Sequence, residues 1–157
     1  MKKILSILLI TLIILMSLAG CTTSKTYTYT VDTGDKICVE MDTTGGYDIS
    51  SKLPFTISKT EDTATQGKVV KTLSQGKFIY SEYFEKYVDA AESDEKAVII
   101  DSGSRDDVEY TFWSYNSSEY NYVIKIKDSN TGVLLSNPNS QEEAEDCFNR
   151  LTFSKDD

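Results

Sequence analysis

The sequence predicts an α+β fold: a meander of antiparallel strands packed with two helices, in a single domain that follows a signal peptide. Short segments of alternating apolar and polar residues, separated by turn residues, recur along most of the chain. Two other segments repeat apolar residues at helical spacing, and one long apolar run begins the chain. Because the helices are set aside from the strands, we expect an antiparallel sheet covered by helix on one or both faces.

The first 21 residues have the composition of an export signal. Two lysines precede an apolar run at residues 4–18, which is shorter than the about 20 residues needed to span a bilayer. This length favours a cleaved signal over the alternative, an uncleaved membrane helix. The run ends in Leu18, Ala19, Gly20 and Cys21.

These four residues resemble the lipobox of bacterial lipoproteins. The resemblance covers the export segment alone. It implies that residues 1–20 are removed and that Cys21 is lipidated and becomes the new N-terminus. It also implies that the protein is anchored in the cell membrane by this lipid and faces outside the cytoplasm.

The mature chain has the size of one domain and an acidic surface. We predict a lipidated tether at residues 21–26 and a single α+β domain at residues 27–157. Removal of the two signal lysines changes the net charge from −9 to −11. Such a surface repels nucleic acid, so the expected partners are the membrane, through Cys21, and a protein or cell-wall component.

The chain contains no histidine, which excludes Ser-His-Asp and Cys-His catalytic groups and His-based zinc sites. Two cysteines remain beyond Cys21, too few for a Cys₄ zinc site. The sequence therefore predicts no metal site and no cofactor, and it weighs against an enzyme. Cys38 and Cys147 could form a disulfide or remain as two buried free thiols, and both alternatives stay open.

The first half of the chain predicts a hairpin, further strands and a helix. Alternation at residues 27–31 and 37–41, around a turn, predicts the hairpin. Residues 53–57 form a strand that begins near Pro54, and residues 60–67 form a polar loop. Two short strands are expected next, one over Val69, Val70 and Leu73 and one, after Gly76, over residues 77–80. Ser81 is then expected to cap a helix. The apolar face of this helix consists of Phe84, Tyr87, Val88 and Ala91.

The second half predicts the meander and a terminal helix. Residues 96–101 are expected to form a buried strand and 102–106 a turn, followed by strands at 108–115, 119–127 and 131–136. The last element is a helix that docks on the sheet, with a capping box formed by Ser140 and Glu143 and an apolar stripe of Ala144, Cys147, Phe148 and Leu151. This order of elements resembles the PsbP/Mog1-like sandwich, which occurs among secreted and lipid-anchored accessory proteins.

Aromatic residues are concentrated in one predicted hairpin: Tyr110, Phe112, Trp113, Tyr115, Tyr120 and Tyr122. They either form a contact platform or fill the core, since tyrosine suits half-buried strands. If a binding surface exists there, we expect it to consist of Trp113, Tyr115, Glu119 and Tyr120.

The sequence predicts a non-enzymatic, surface-tethered lipoprotein that binds a protein or cell-envelope partner. One alternative is a small envelope hydrolase that uses paired carboxylates. The other is a small-ligand-binding lipoprotein, which requires an enclosed apolar pocket.

Overall fold

The computed structural model describes residues 23–156, which contain ten strands and two helices. The α+β class predicted from the sequence is confirmed. The elements in chain order are β1 Ser24–Thr30, β2 Lys36–Asp42, β3 Tyr47–Ile49, β4 Phe55–Thr63, β5 Gly67–Tyr80, α1 Phe84–Ser93, β6 Ala97–Arg105, β7 Val108–Tyr115, β8 Glu119–Ile126, β9 Thr131–Asn137, α2 Gln141–Asn149 and β10 Leu151–Asp156.

The predicted signal peptide and the lipidated Cys21 lie outside the described residues. Within residues 23–156, none of the helices has both the length and the apolar character that a membrane crossing requires.

The strands form two antiparallel sheets. The larger sheet has the order β3-β4-β5-β9-β8-β7-β6, and the smaller one has the order β1-β2-β10. The main core lies between the small sheet, α2 and one face of the large sheet, and it includes Val39, Phe112, Phe148 and Phe153. The other face of the large sheet packs against α1 in a second, smaller core.

The hairpin β1–β2 and the meander β7–β8–β9 confirm the predicted strands. Tyr27 pairs with Val39, and the meander has no register shift. Its turns contain Asn116, Ser117 and Asp128 with φ between 51° and 55°. Asparagine and aspartate tolerate this left-handed conformation better than most residues, and for this reason the turns could be recognised in the sequence.

The structure corrects the prediction around Gly76, where two short strands were expected. Residues Gly67–Tyr80 form one strand, and β4 continues to Thr63, so the predicted loop at 60–67 shortens to a turn. Gly76 lies inside this strand. The position requires a glycine because a Cβ there would stand 2.0 Å from Cζ of the buried Phe55 ring. The glycine leaves room for an aromatic side chain and does not end the strand.

The predicted buried strand at 96–101 is instead an exposed edge strand. β6 continues to Arg105, so the expected turn at 102–106 is reduced to Asp106 and Asp107. β6 pairs on one side only, with β7, and its Val98 is 58% exposed. An apolar run alone does not distinguish an edge strand from a central one.

Both helix starts differ from the prediction. Residues Ser81–Tyr83 form a 3₁₀ turn, α1 begins after it, and Ser81 makes no cap. At α2, Oγ of Ser140 accepts a hydrogen bond from the Glu143 N–H at 3.2 Å, as predicted. The Glu143 carboxylate, however, pairs with Lys71 at 2.8 Å, so the reciprocal half of the capping box is missing.

The last element of residues 23–156 is a strand and not the predicted helix. β10 follows α2 and pairs with β2, and Leu151 belongs to this strand rather than to the helical stripe. At the other end, β1 begins at Ser24, within the predicted tether at residues 21–26. The Thr43 N–H donates to the Thr23 carbonyl at 2.7 Å, so the folded domain starts earlier than expected.

Candidate functional site

The predicted contact surface on the β7–β8 hairpin does not form as one patch. Trp113 is 8% exposed and packs in the second core with Phe84 of α1, so it belongs to the interior. Tyr115 is paired with the exposed Glu119 across the hairpin, on the same sheet face as Trp113. Tyr120 lies on the opposite face, where its ring packs against the main core.

The remaining aromatic residues of that hairpin form a buried stack under α2. The rings of Phe112 and Tyr122 are parallel with centroids 4.1 Å apart, and Phe148 of α2 lies 4.2 Å beyond Tyr122. The Arg105 guanidinium covers the outer face of Phe148 at 4.1 Å. Burial raises the pKa of Tyr122 well above its ordinary value. These residues therefore stabilise the fold, which was the alternative interpretation of the aromatic concentration.

The two cysteines are both free thiols in the structure. Cys147 is buried in the main core, and burial raises the pKa of its thiol to about 11. Cys38 alternates with Ile37 and Val39, whose side chains are fully buried, so it lies on the outer face of the small sheet. The two thiols are thus on different sides of β2.

A cleft of about 690 Å³ lies at the end of the domain where β1 and β5 finish. We call it the tyrosine cleft. Its lining comes from four parts of the chain: Thr30, Val31, Asp32 and Thr33; Leu53 and Pro54; Lys77, Phe78, Ile79 and Tyr80; and Tyr83 and Tyr87. Three of the six exposed large apolar side chains among residues 23–156 line it, namely Leu53, Tyr80 and Tyr83.

The tyrosines of the cleft are positioned by the end of β5 and the 3₁₀ turn after it. Because side chains three residues apart align in a 3₁₀ turn, the rings of Tyr80 and Tyr83 meet edge to face, with centroids 6.1 Å apart. The Tyr80 hydroxyl donates to the carbonyl of Asp32 at 3.2 Å. Lys86 lies over the Tyr83 ring with its Nζ 4.5 Å from the centroid. Two of the three tyrosines are therefore held in place by neighbouring residues of the protein.

The floor of the cleft continues into the main core. Phe78 packs against Tyr29, with centroids 5.4 Å apart, and against Phe55, with centroids 5.8 Å apart. A floor of this kind cannot shift without disturbing the packing beneath it.

A buried carboxylate fixes the remaining wall, the turn between β1 and β2. Asp35 is 6% exposed, and its Oδ2 accepts hydrogen bonds from the Asn130 N–H at 2.7 Å and from the Thr131 hydroxyl at 2.8 Å. The hydroxyls of Thr33 and Thr131 also bond to each other. The turn is therefore attached to the start of β9, and Thr33 at the edge of the cleft is attached with it.

The same contacts keep Asp35 ionised. Burial by itself would raise the pKa of this carboxyl, but the hydrogen bonds from Thr131 and Asn130 and the charge of Lys155 outweigh burial. The Lys155 Nζ lies 3.5 Å from Oδ1. The net result is a pKa below the ordinary value for aspartate.

The chemistry of the lining suits binding. Ring faces, hydroxyls and one lysine surround the cleft, and its single carboxylate is Asp32, so the pair of carboxyl groups required for glycoside hydrolysis is not found there. Within residues 23–156, Cys, Asp and Glu side chains do not assemble into a group able to hold a metal ion.

A smaller cavity of about 310 Å³ does contain two carboxylates, Asp101 and Glu145, above the aromatic stack. The Tyr110 hydroxyl donates to Asp101 at 2.8 Å, and this hydrogen bond raises the pKa of Tyr110. This cavity is one place where the hydrolase alternative could find two carboxylates.

Comparisons of the chain with family models, with characterised proteins and with solved structures give no match in any of the three. The resemblance to PsbP/Mog1-like sandwiches stays a prediction. The site is therefore assigned on geometry alone. The sequence contained one signal for it, tyrosines at positions 80, 83 and 87, of which Tyr87 was interpreted as part of a helix face.

Proposed function

We propose that this protein is a lipid-anchored, non-enzymatic binding protein outside the cytoplasm, and that its domain binds a protein or cell-envelope partner in the tyrosine cleft. The observation that carries the binding function is the cleft itself, with Leu53, Tyr80 and Tyr83 exposed around a fixed floor. The resemblance of residues 18–21 to a lipobox supports the anchor and the compartment.

The size and lining of the cleft favour binding. Ligand sites typically enclose about 300–1,000 Å³, and the tyrosine cleft lies within this range. Tyrosine offers a large contact area and a hydroxyl while losing little rotational freedom on binding. Because Tyr80 and Asp32 are already joined by a hydrogen bond, a partner meets a largely ordered site, which lowers the entropy cost of binding.

Thermal-shift measurements on residues 22–157 test the binding function. The panel contains cell-wall fragments, oligosaccharides and peptides, each compared with buffer alone. A ligand that binds the folded state only, present at a hundredfold excess over Kd, adds about 2.7 kcal/mol to the apparent stability. We expect one class to raise the melting temperature of the wild type and to have no effect on the Tyr83→Ala variant.

Tyr115→Ala is the matched control, because this tyrosine is partly accessible to solvent but lies outside the cleft lining. A ligand shift that survives Tyr83→Ala and disappears in Tyr115→Ala would assign the site to the β7–β8 hairpin. That outcome would contradict the proposal and restore the surface predicted from the sequence.

The anchor is tested separately by expressing the full chain in a bacterial host and measuring the mass of the membrane-associated product. We expect an N-terminus at Cys21 that carries acyl chains, and loss of membrane association in Cys21→Ala. A product that retains residues 1–20 without acyl groups would contradict lipidation.

A further inference from the structure

The anchor position and the folded domain are separated by very little chain. In the sequence, Thr22 alone lies between Cys21 and Thr23. The backbone is fixed from Thr23 onward, because its carbonyl accepts from Thr43 at 2.7 Å and Ser24 pairs with Asp42. Two residues of extended chain span at most about 7 Å. Wherever Cys21 is held, the end of the domain that carries Thr23 is held close to it.

A protruding hairpin shares this end of the domain. We call residues 59–71 the β4–β5 arm. A surface depression of about 470 Å³ is lined by Lys25 and Thr43 together with Thr60, Asp62 and Lys68, so the arm lies beside the start of β1. β9 pairs with β5 only at residues 75–80, and β3 pairs with β4 only at residues 57–59. Beyond Lys59, the two strands of the arm therefore pair with each other and extend past the sheet.

The arm differs from the rest of the surface in charge and in apolar exposure. It contains Lys59, Lys68 and Lys71 against Glu61 and Asp62, a balance of +1, and Lys71 is paired with Glu143 of α2. The arm is therefore close to neutral in a chain whose net charge is −9. Its Val70 is 65% exposed, the highest value among the exposed large apolar residues of the described chain. An anionic lipid surface repels most of this protein, but it does not repel the arm.

We propose that the β4–β5 arm and the adjacent start of β1 rest on the lipid headgroups of the membrane, so that the tyrosine cleft opens away from it. The cleft is lined by Thr30 and Val31, at the opposite end of β1 from Ser24. At about 3.3 Å per residue, the six steps from Ser24 to Thr30 place the cleft about 20 Å farther from the anchor. This inference rests on the proposed lipid anchor at Cys21.

The test uses a chemical anchor, which makes it independent of natural lipidation. Residues 21–157 carrying Cys38→Ser are coupled through Cys21 to a maleimide lipid in vesicles of phosphatidylcholine and phosphatidylglycerol. The buried Cys147, whose thiol pKa is raised to about 11, does not react with the maleimide. Acetylation rates of individual lysines are then measured by mass spectrometry for the free and the anchored protein.

Lys68 of the arm and Lys77 of the cleft form a matched pair, because both are exposed in the free domain. On the vesicles we expect acetylation of Lys68 to slow at least threefold and that of Lys77 to stay unchanged. Equal rates at the two lysines, or slower acetylation of Lys77, would overturn the orientation. If Cys21 is not lipidated in the bacterial host but Lys68 is still protected on the vesicles, the proposed lipid anchor is wrong. The inferred orientation of a domain held at Cys21 is then still supported.

A pair of valine variants tests whether the arm itself makes the contact. Val70→Glu places a carboxylate on the arm, and Val98→Glu places the same group on β6, at the far edge of the large sheet. We expect Val70→Glu to abolish the protection of Lys68 on anionic vesicles and Val98→Glu to leave it intact. Protection that is unaffected by Val70→Glu would contradict contact through the arm.

Discussion

The aromatic stack under α2 and the tyrosine cleft are built from the same kinds of residue, yet they differ in what covers the rings. In the stack, Phe148 lies over Tyr122 and Arg105 lies over Phe148, so the rings are covered by other parts of the protein. In the cleft, Tyr80 and Tyr83 stand at the end of a strand where the chain turns, and they remain 44% and 38% exposed. The comparison shows that aromatic content by itself does not indicate function, because an overlying helix converts a binding platform into core.

The largest difference between the two regions should appear when a stacked ring is removed. Tyr122→Ala is expected to reduce the free energy of unfolding by about 3–5 kcal/mol, since it leaves a cavity between Phe112 and Phe148. Urea unfolding followed by circular dichroism measures the loss. Tyr122→Phe keeps the ring and serves as the control. A loss below about 1 kcal/mol in Tyr122→Ala would show that the stack does not stabilise the domain.

Loss of the contacts that attach the cleft wall should reduce the free energy of unfolding nearly as much. Asp35→Asn is expected to cost about 1.5–3 kcal/mol at neutral pH, because the charged acceptor of the Thr131 and Asn130 hydrogen bonds is lost. Guanidinium unfolding curves of the two proteins measure this cost. The pH dependence of the same curves gives a second, independent readout.

The sign of this dependence follows from the lowered pKa of Asp35. Such a group contributes stability that is present above the pKa of aspartate in the unfolded chain, about 3.9, and that is lost as the pH falls through the lower pKa of the folded state. The wild type should therefore lose stability below about pH 4 more steeply than Asp35→Asn. Parallel curves for the two proteins would show that Asp35 is not stabilised as a carboxylate.

A moderate effect is expected where β5 passes from the core to the cleft. Gly76→Ala should destabilise by about 1–3 kcal/mol, because its Cβ would clash with the fully buried ring of Phe55. Thermal unfolding measures this loss. In a Phe55→Ala background the same substitution should cost much less, since the clashing ring is gone. Equal losses in the two backgrounds would exclude the clash as the cause.

The smallest effect is expected at the cleft surface. Tyr83→Ala should reduce the free energy of unfolding by about 1 kcal/mol, because this partly exposed ring loses only its contacts with Tyr80 and Lys86. Tyr80→Phe should cost about 1 kcal/mol, the usual value of one hydrogen bond, here the bond to the Asp32 carbonyl. Urea unfolding resolves both values. A loss at Tyr83 comparable to that at Tyr122 would remove the distinction between the two aromatic regions.

The parts of the fold that could be predicted are those with local signals. The meander was predicted because Asn116 and Asp128 lie in turns that favour them, and the start of α2 because Ser140 suits an N-cap. β10 was missed because its pairing with β2 is a long-range contact that leaves no local pattern. Gly76 was misinterpreted for the same reason, since the ring of Phe55 that requires it is distant in the sequence.

The site was harder to predict than the fold. Trp113 and Tyr115 are plausible contact residues in the sequence, but in the fold Trp113 packs beneath α1 on that side of the large sheet. The cleft is assembled from segments around residues 30, 53 and 80, which a search for local motifs does not connect. Which aromatic residues remain uncovered depends on the packing of whole elements, and single-sequence patterns do not encode this directly.

The central position of β2 in the small sheet has a consequence for how the chain matures. β2 pairs on one side with β1, close by, and on the other side with β10, so that Met41 meets Leu151, 110 residues later. Until synthesis reaches β10, one edge of β2 is open next to apolar residues, and open edges of this kind pair readily with other chains. A polypeptide released at residue 150 would lack β10 and keep that edge exposed, so the short strand β10 protects the small sheet from pairing with other chains.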